Sequence, residues 1–125
     1  MADSLRPTEP VVVLVASRTP LLGDALRHLI ETAGDGWSAD VIDDPDALLR
    51  TGRVAPNVVV FCSSMGGPEM AEALHSTVPG TPLVVMIDGH EGAKEHWPGA
   101  SATLGLRATR AEILGELRRV LHISW

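Results

Sequence analysis

Few residues in this 125-residue chain are of types that do chemistry, and they are widely spaced. The single cysteine, Cys62, ends the apolar run Val58-Val59-Val60-Phe61. A thiol there becomes a nucleophile or redox centre if a nearby cation favours the thiolate, and Arg18 is the candidate cation. The competing reading is a small apolar residue closing a buried strand, which suits cysteine's preference for interiors. A lone cysteine also excludes an intrachain disulfide or a Cys-rich zinc site. His28, His75, His90, His96 and His122 raise the question of a metal, but no two are four apart, so surface positions suit them better and no metal site is expected. Ser63 and Ser64 lack the Gly-x-Ser-x-Gly setting of a nucleophile elbow. Gly66-Gly67-Pro68 could offer amides to an anion at a helix start, but it lacks the fuller glycine pattern of nucleotide loops. Trp97, in a stretch rich in Gly and Pro, is a candidate ligand or partner contact, as are Ser63 and Asp88 beside apolar runs.

The elements that must position these residues follow from periodicity. Residues 11–16, 56–62 and 83–87 are continuous apolar, β-branched runs, the pattern of strands buried on both faces of a parallel sheet. Residues 37–42 alternate loosely, as a peripheral strand does, and 101–106 reads as a last strand. Thr19-Pro20 provides a cap and a first-turn proline for a helix whose stripe is Leu22, Ala25, Leu26, Leu29, Ile30 and Ala33, ending near Gly34 and Gly36. Asp44-Pro45-Asp46 opens a short helix, and Pro68 opens another that Pro79-Gly80 breaks. A short helix is expected within 91–97. Thr109 and Glu112 have capping-box spacing before the stripe Ile113, Leu114, Leu117, Val120 and Leu121. Residues 1–10, polar with two prolines, read as a disordered leader, and 11–122 as one domain. Alternating strands and helices imply three α/β/α layers on a five-stranded parallel sheet, in the flavodoxin-like order 2-1-3-4-5.

Composition narrows the function classes. The chain is 45% apolar and 21% charged, as soluble domains are, and carries a net charge of −6. Basic residues are dispersed, with Arg118-Arg119 the only adjacent pair, which argues against direct nucleic-acid binding. No apolar run approaches the roughly 18 residues of a membrane span, and the start lacks a secretory pattern, so a cytoplasmic protein without membrane contact is expected.

The pattern resembles the receiver domain of bacterial response regulators, the CheY-like fold, and most nearly receivers of the NarL type. Val13-Leu14-Val15-Ala16-Ser17-Arg18-Thr19-Pro20-Leu21-Leu22 is similar to the family's first strand, acidic pair and first helix. Pro56-Asn57-Val58-Val59-Val60-Phe61-Cys62-Ser63-Ser64-Met65 is similar to its Pro-Asp, third strand and following loop. Thr81 to Ile87 and Gly99 to Leu106 resemble the fourth strand and the Gly-Ala turn with the fifth strand. The resemblance implies where the family's chemistry would sit, and every such position is changed. Ser17 and Arg18 replace the Mg²⁺-binding acids, Cys62 the phosphoacceptor aspartate, Ile87 the sensing hydroxyl and Leu106 the lysine that pairs with phosphate. Asp88, one residue past the fourth strand, stands outside that constellation. The fourth helix is shorter than the family's by about a turn.

Such a pocket excludes a Mg²⁺ cage and an acyl phosphate, so the expected protein is a non-enzymatic, atypical receiver without a cofactor. Its state would be set by a small-molecule ligand or a protein partner, with transcriptional control as the expected output. Arg18 admits two readings, a stand-in for the metal ion that holds loop carbonyls or a solvated side chain. The apolar stripes of the first and last helices lead to the expectation of a homodimer in which those helices share a face. Two rival functions are a docking adaptor on a receiver scaffold and a redox switch at Cys62.

Overall fold

The apolar run Val11–Ala16 forms an inner strand of the sheet, with a neighbour on each side. The computed structural model describes residues 11–33, 36–44, 56–77, 80–87, 97, 99–105 and 107–121. Five strands are present: β1 (Val11–Ala16), β2 (Trp37–Ile42), β3 (Val58–Cys62), β4 (Leu83–Ile87) and β5 (Ala102–Gly105). Among the described residues, three α-helices accompany them: α1 (Pro20–Glu31), α2 (Pro68–Thr77) and α3 (Arg110–Val120), with a 3₁₀ turn at Ser63–Met65. The sheet is parallel throughout, in the order β2-β1-β3-β4-β5. This is the expected 2-1-3-4-5 arrangement. The expected leader, the short helix from Asp44 and the shortened helix within 91–97 lie outside the described residues, apart from Asp44 and Trp97.

Strand alternation divides the interior into two apolar layers. On one face, Val13 and Val15 of β1, Val58, Val60 and Cys62 of β3, and Val84 and Met86 of β4 meet α1 and α3. On the other, Leu14, Ala16, Val59, Phe61, Leu83 and Val85 meet Ala71 and Leu74 of α2, with Met65 and Trp97. The stripes of α1 and α3 are therefore used on this sheet, through Leu26, Ile30, Ile113, Leu114, Leu117 and Val120. Two copies joined through those helices would have to meet on their outer faces, where Leu21 is 81% exposed.

Local chemistry sets the element ends. Thr109 and Glu112 form the expected capping box: the Thr109 Oγ1 accepts from the Glu112 amide at 3.1 Å, and the Thr109 amide donates to Glu112 Oε1 at 2.7 Å. Thr19 precedes α1 as expected, but its side chain makes no cap. Ser17 organises that turn instead, two residues upstream. The first helix stops at Glu31, with Thr32 as its C-cap, slightly before the glycines that were expected to end it. Gly23 lets α1 lie close on β2, since a Cβ there would stand 2.8 Å from the Val41 Cγ1. No helix among the described residues is long and apolar enough to cross a membrane.

Candidate functional site

A doubly wound parallel sheet carries its ligand crevice outside the carboxyl ends of the strands, where the connections leave in opposite directions. Here that place lies between β1 and β3. The chain leaves β1 for α1 on one face and β3 for α2 on the other. Ser17 and Arg18 follow β1, Cys62 ends β3, Ser63 opens the next turn, and Ile87 ends β4. Pairing of Ala16 with Phe61, Cys62 with Met86 and Ile87 with Gly105 brings these ends to one edge of the sheet. The structure thus gathers four of the five candidate pocket residues. Leu106 and Asp88 lie outside the described residues.

Ser17 is buried, at 1% exposure, and its polar atoms are satisfied locally. Its amide donates to the Ile42 carbonyl at 3.0 Å, continuing the β1–β2 ladder by one bond. Its hydroxyl accepts from the Thr19 amide and donates to the Thr19 carbonyl, both at 3.1 Å. Sequence reasoning gave Ser17 no role of its own. The available signal was a serine two residues before a helix cap, where hydroxyls commonly close turns onto the backbone. Arg18 is exposed and makes no hydrogen bond or ion pair with another described residue, which favours the solvated reading over a stand-in for a metal ion.

Cys62 is fully buried at 0% exposure, in the layer of Val60 and Met86 that faces α1 and α3. Ile87 is half-buried against the opposite layer. Ser63 is half-buried, and its carbonyl accepts from the Gly66 amide at 3.3 Å. Gly66 is explained by packing, since a Cβ would stand 2.8 Å from that of Met70. Trp97 differs from expectation. It is 7% exposed and packs against Phe61, with ring centroids 6.2 Å apart and planes at 60°, so the ring is a core element with little surface for a ligand. No group of three His, Cys, Asp or Glu able to hold a metal occurs among the described residues.

No family model and no curated protein matches the chain. Solved structures do match it. The receiver domain of the sensor histidine kinase PA1611 from Pseudomonas aeruginosa PAO1 superposes with a TM-score of 0.80 at 14% identity, over 92% of this chain and 100% of that one. The chemotaxis response regulator CheY4 of Vibrio cholerae gives 0.75 at 20% identity, over 90% and 99%. A response regulator receiver protein from Burkholderia phymatum gives 0.74 at 22% identity, over 91% and 97%. The fold is that of CheY-like receiver domains. The PA1611 receiver holds a magnesium ion in its active-site cleft. The described residues that follow β1 and end β3 do not suit that ion, which takes oxygen ligands and is served by carboxylates. They are a serine whose hydroxyl is committed to its own loop, an exposed arginine and a buried cysteine.

Proposed function

We propose that this chain is a receiver-like regulatory domain that works without aspartyl phosphorylation and is not an enzyme. Binding of a small molecule or a protein partner sets its state, and the resemblance to NarL-type receivers points its output towards transcriptional control. One observation carries the reading: the residue at the end of β3, where the resemblance puts the phosphoacceptor, is a thiol at 0% exposure inside an apolar layer. An acyl phosphate requires an accessible carboxylate, and a phosphoryl dianion requires polar partners. A dry site with aliphatic neighbours supplies neither. The same burial speaks against Cys62 as a redox switch, because reactive thiols sit partly exposed beside cations.

The test exposes the full chain to acetyl phosphate, and separately to beryllofluoride, each with Mg²⁺. Intact mass should show no added phosphoryl group, and amide NMR spectra should not change for residues at the ends of β1, β3 and β4. A mass gain of one phosphoryl group on the chain would overturn the proposal.

A further inference from the structure

An open sheet ends in two strands whose outer backbone groups lack a ladder partner, and such an edge is a template for another chain. Here those strands are β5, four residues long, and β2, six residues long and the better template. Among the described residues no strand pairs with the outer side of β2. The direction of its backbone groups follows from the ladder. The Ile42 carbonyl accepts from the Ser17 amide, on the β1 side. Backbone groups alternate along a strand, so Asp40 and Ser38 also turn theirs to β1, while Trp37, Ala39 and Val41 turn theirs outward.

One outward group is already taken. The Ala39 amide donates at 3.2 Å to Oε2 of Glu31, the last residue of α1. The Arg27 Nε stands 3.5 Å from the same oxygen, one helical turn back, and holds the carboxylate towards the edge. A carboxylate on a mid-strand amide occupies the place that the carbonyl of an incoming strand would need. Its negative charge also repels the row of carbonyls such a strand would bring.

Without that carboxylate, β2 fits a second copy of itself. A two-fold axis at Ala39 pairs Ala39 of each copy with Ala39 of the other through two N–H···O bonds, as in an antiparallel ladder. The same register sets Trp37 of each copy opposite Val41 of the other, an aromatic with a β-branched residue, on the face that α1 covers. On the other face it sets Ser38 opposite Asp40, a hydroxyl beside a carboxylate. An axis one residue further along would set Asp40 against Asp40, which like charge disfavours. We infer that Glu31 is a guard on this edge: by taking the Ala39 amide it keeps two copies of the chain from joining β2 to β2 in one continuous sheet.

Sedimentation and amide hydrogen exchange of the full chain, over a range of protein concentrations, test this with Glu31→Ala beside the parent. Alanine is the best helix former, so α1 is kept. In dilute solution the Ala39 amide of the variant should exchange about tenfold faster or more, through loss of a charge-assisted bond. At the concentration of an NMR sample the variant should sediment at twice the parent's mass, and its Ala39 amide should become protected again. A Glu31 that only braces α1 against β2 would give faster exchange at every concentration. Adding Ser38→Asp to Glu31→Ala sets an acid against each Asp40 and should return the variant to the parent's mass. A Glu31→Ala chain of the parent's mass at every concentration, an association that survives Ser38→Asp, or a parent whose Ala39 protection rises with concentration would each overturn the inference.

Discussion

The Cys62→Asp substitution places a carboxyl group at the end of β3, at a position with 0% exposure among Val60, Met86 and the helices of one face. Two costs follow. The neutral carboxyl adds a polar group to an apolar layer, at about 1–3 kcal/mol. Ionisation adds a second cost that depends on pH. The unfolded chain releases the proton near the ordinary aspartate value of about 3.9, whereas burial raises the folded-state value. Below the unfolded value both states hold the proton, and this second cost is absent. Above it, stability falls by about 1.4 kcal/mol per pH unit until the folded-state value is reached. Three units, from about pH 4 to about pH 7, amount to at most about 4 kcal/mol.

A domain stable by about 5–15 kcal/mol would thus lose a large part of its margin at neutral pH and much less near pH 4.5. Urea unfolding at a series of pH values measures this directly. The fluorescence of Trp37 and Trp97, 5% and 7% exposed, reports the loss of the fold. The quantity of interest is the variant's stability relative to the unsubstituted chain at each pH. A difference independent of pH, or a variant as stable as its parent at neutral pH, would show that the end of β3 is wet and polar. Either result would refute the apolar-site reasoning.

Ser17→Ala removes both bonds of the hydroxyl to Thr19 and should cost about 1–2 kcal/mol in urea unfolding, with no change in response to Mg²⁺. Gly99→Ala meets both a φ of +82° and the His75 ring, so a loss of at least about 1–2 kcal/mol should appear as a lower Tm. Thr109→Ala breaks the capping box of α3 and should cost about 1 kcal/mol, seen as a lower urea midpoint with unchanged slope. Iodoacetamide should label Cys62 only as the chain unfolds, with the rate rising with urea; labelling of the native chain at the rate of a free thiol would restore the redox reading.

The architecture was legible because the runs that build it are long and uninterrupted. The extent of β1, β2 and β4 followed from periodicity to the residue, and Thr109 with Glu112 announced the start of α3. What periodicity could not supply was phase. In a run such as Val58-Val59-Val60-Phe61-Cys62 every residue is apolar, so nothing in the pattern says which face Cys62 takes. Trp97 failed for a different reason. Its flanking glycines and proline suggest a surface loop, but an aromatic ring of that size buries wherever a partner is within reach, and Phe61 is. The bond from Ala39 to Glu31 was invisible for a third reason, because it joins a strand edge to a helix end and exists only after α1 has packed on β2.

Phase, once known, explains the character of the candidate site. Val58, Val60 and Cys62 form one row of β3 against α1 and α3, so the thiol extends an apolar face by one position. Ile87 does the same on β4, continuing Leu83 and Val85 towards the α2 side. Ser17 extends neither face, but its amide prolongs the β1–β2 ladder and its hydroxyl closes the loop on itself. On the proposed reading, the residues that leave this edge without a polar pocket are the same ones that extend the two cores. A single acid restored at Cys62 meets packing built for its absence, without a second acid at Ser17 or a hydroxyl at Ile87 to accompany it. On that reading the cost of the change falls on stability, and Cys62→Asp alone is expected to gain no phosphoryl group from acetyl phosphate with Mg²⁺.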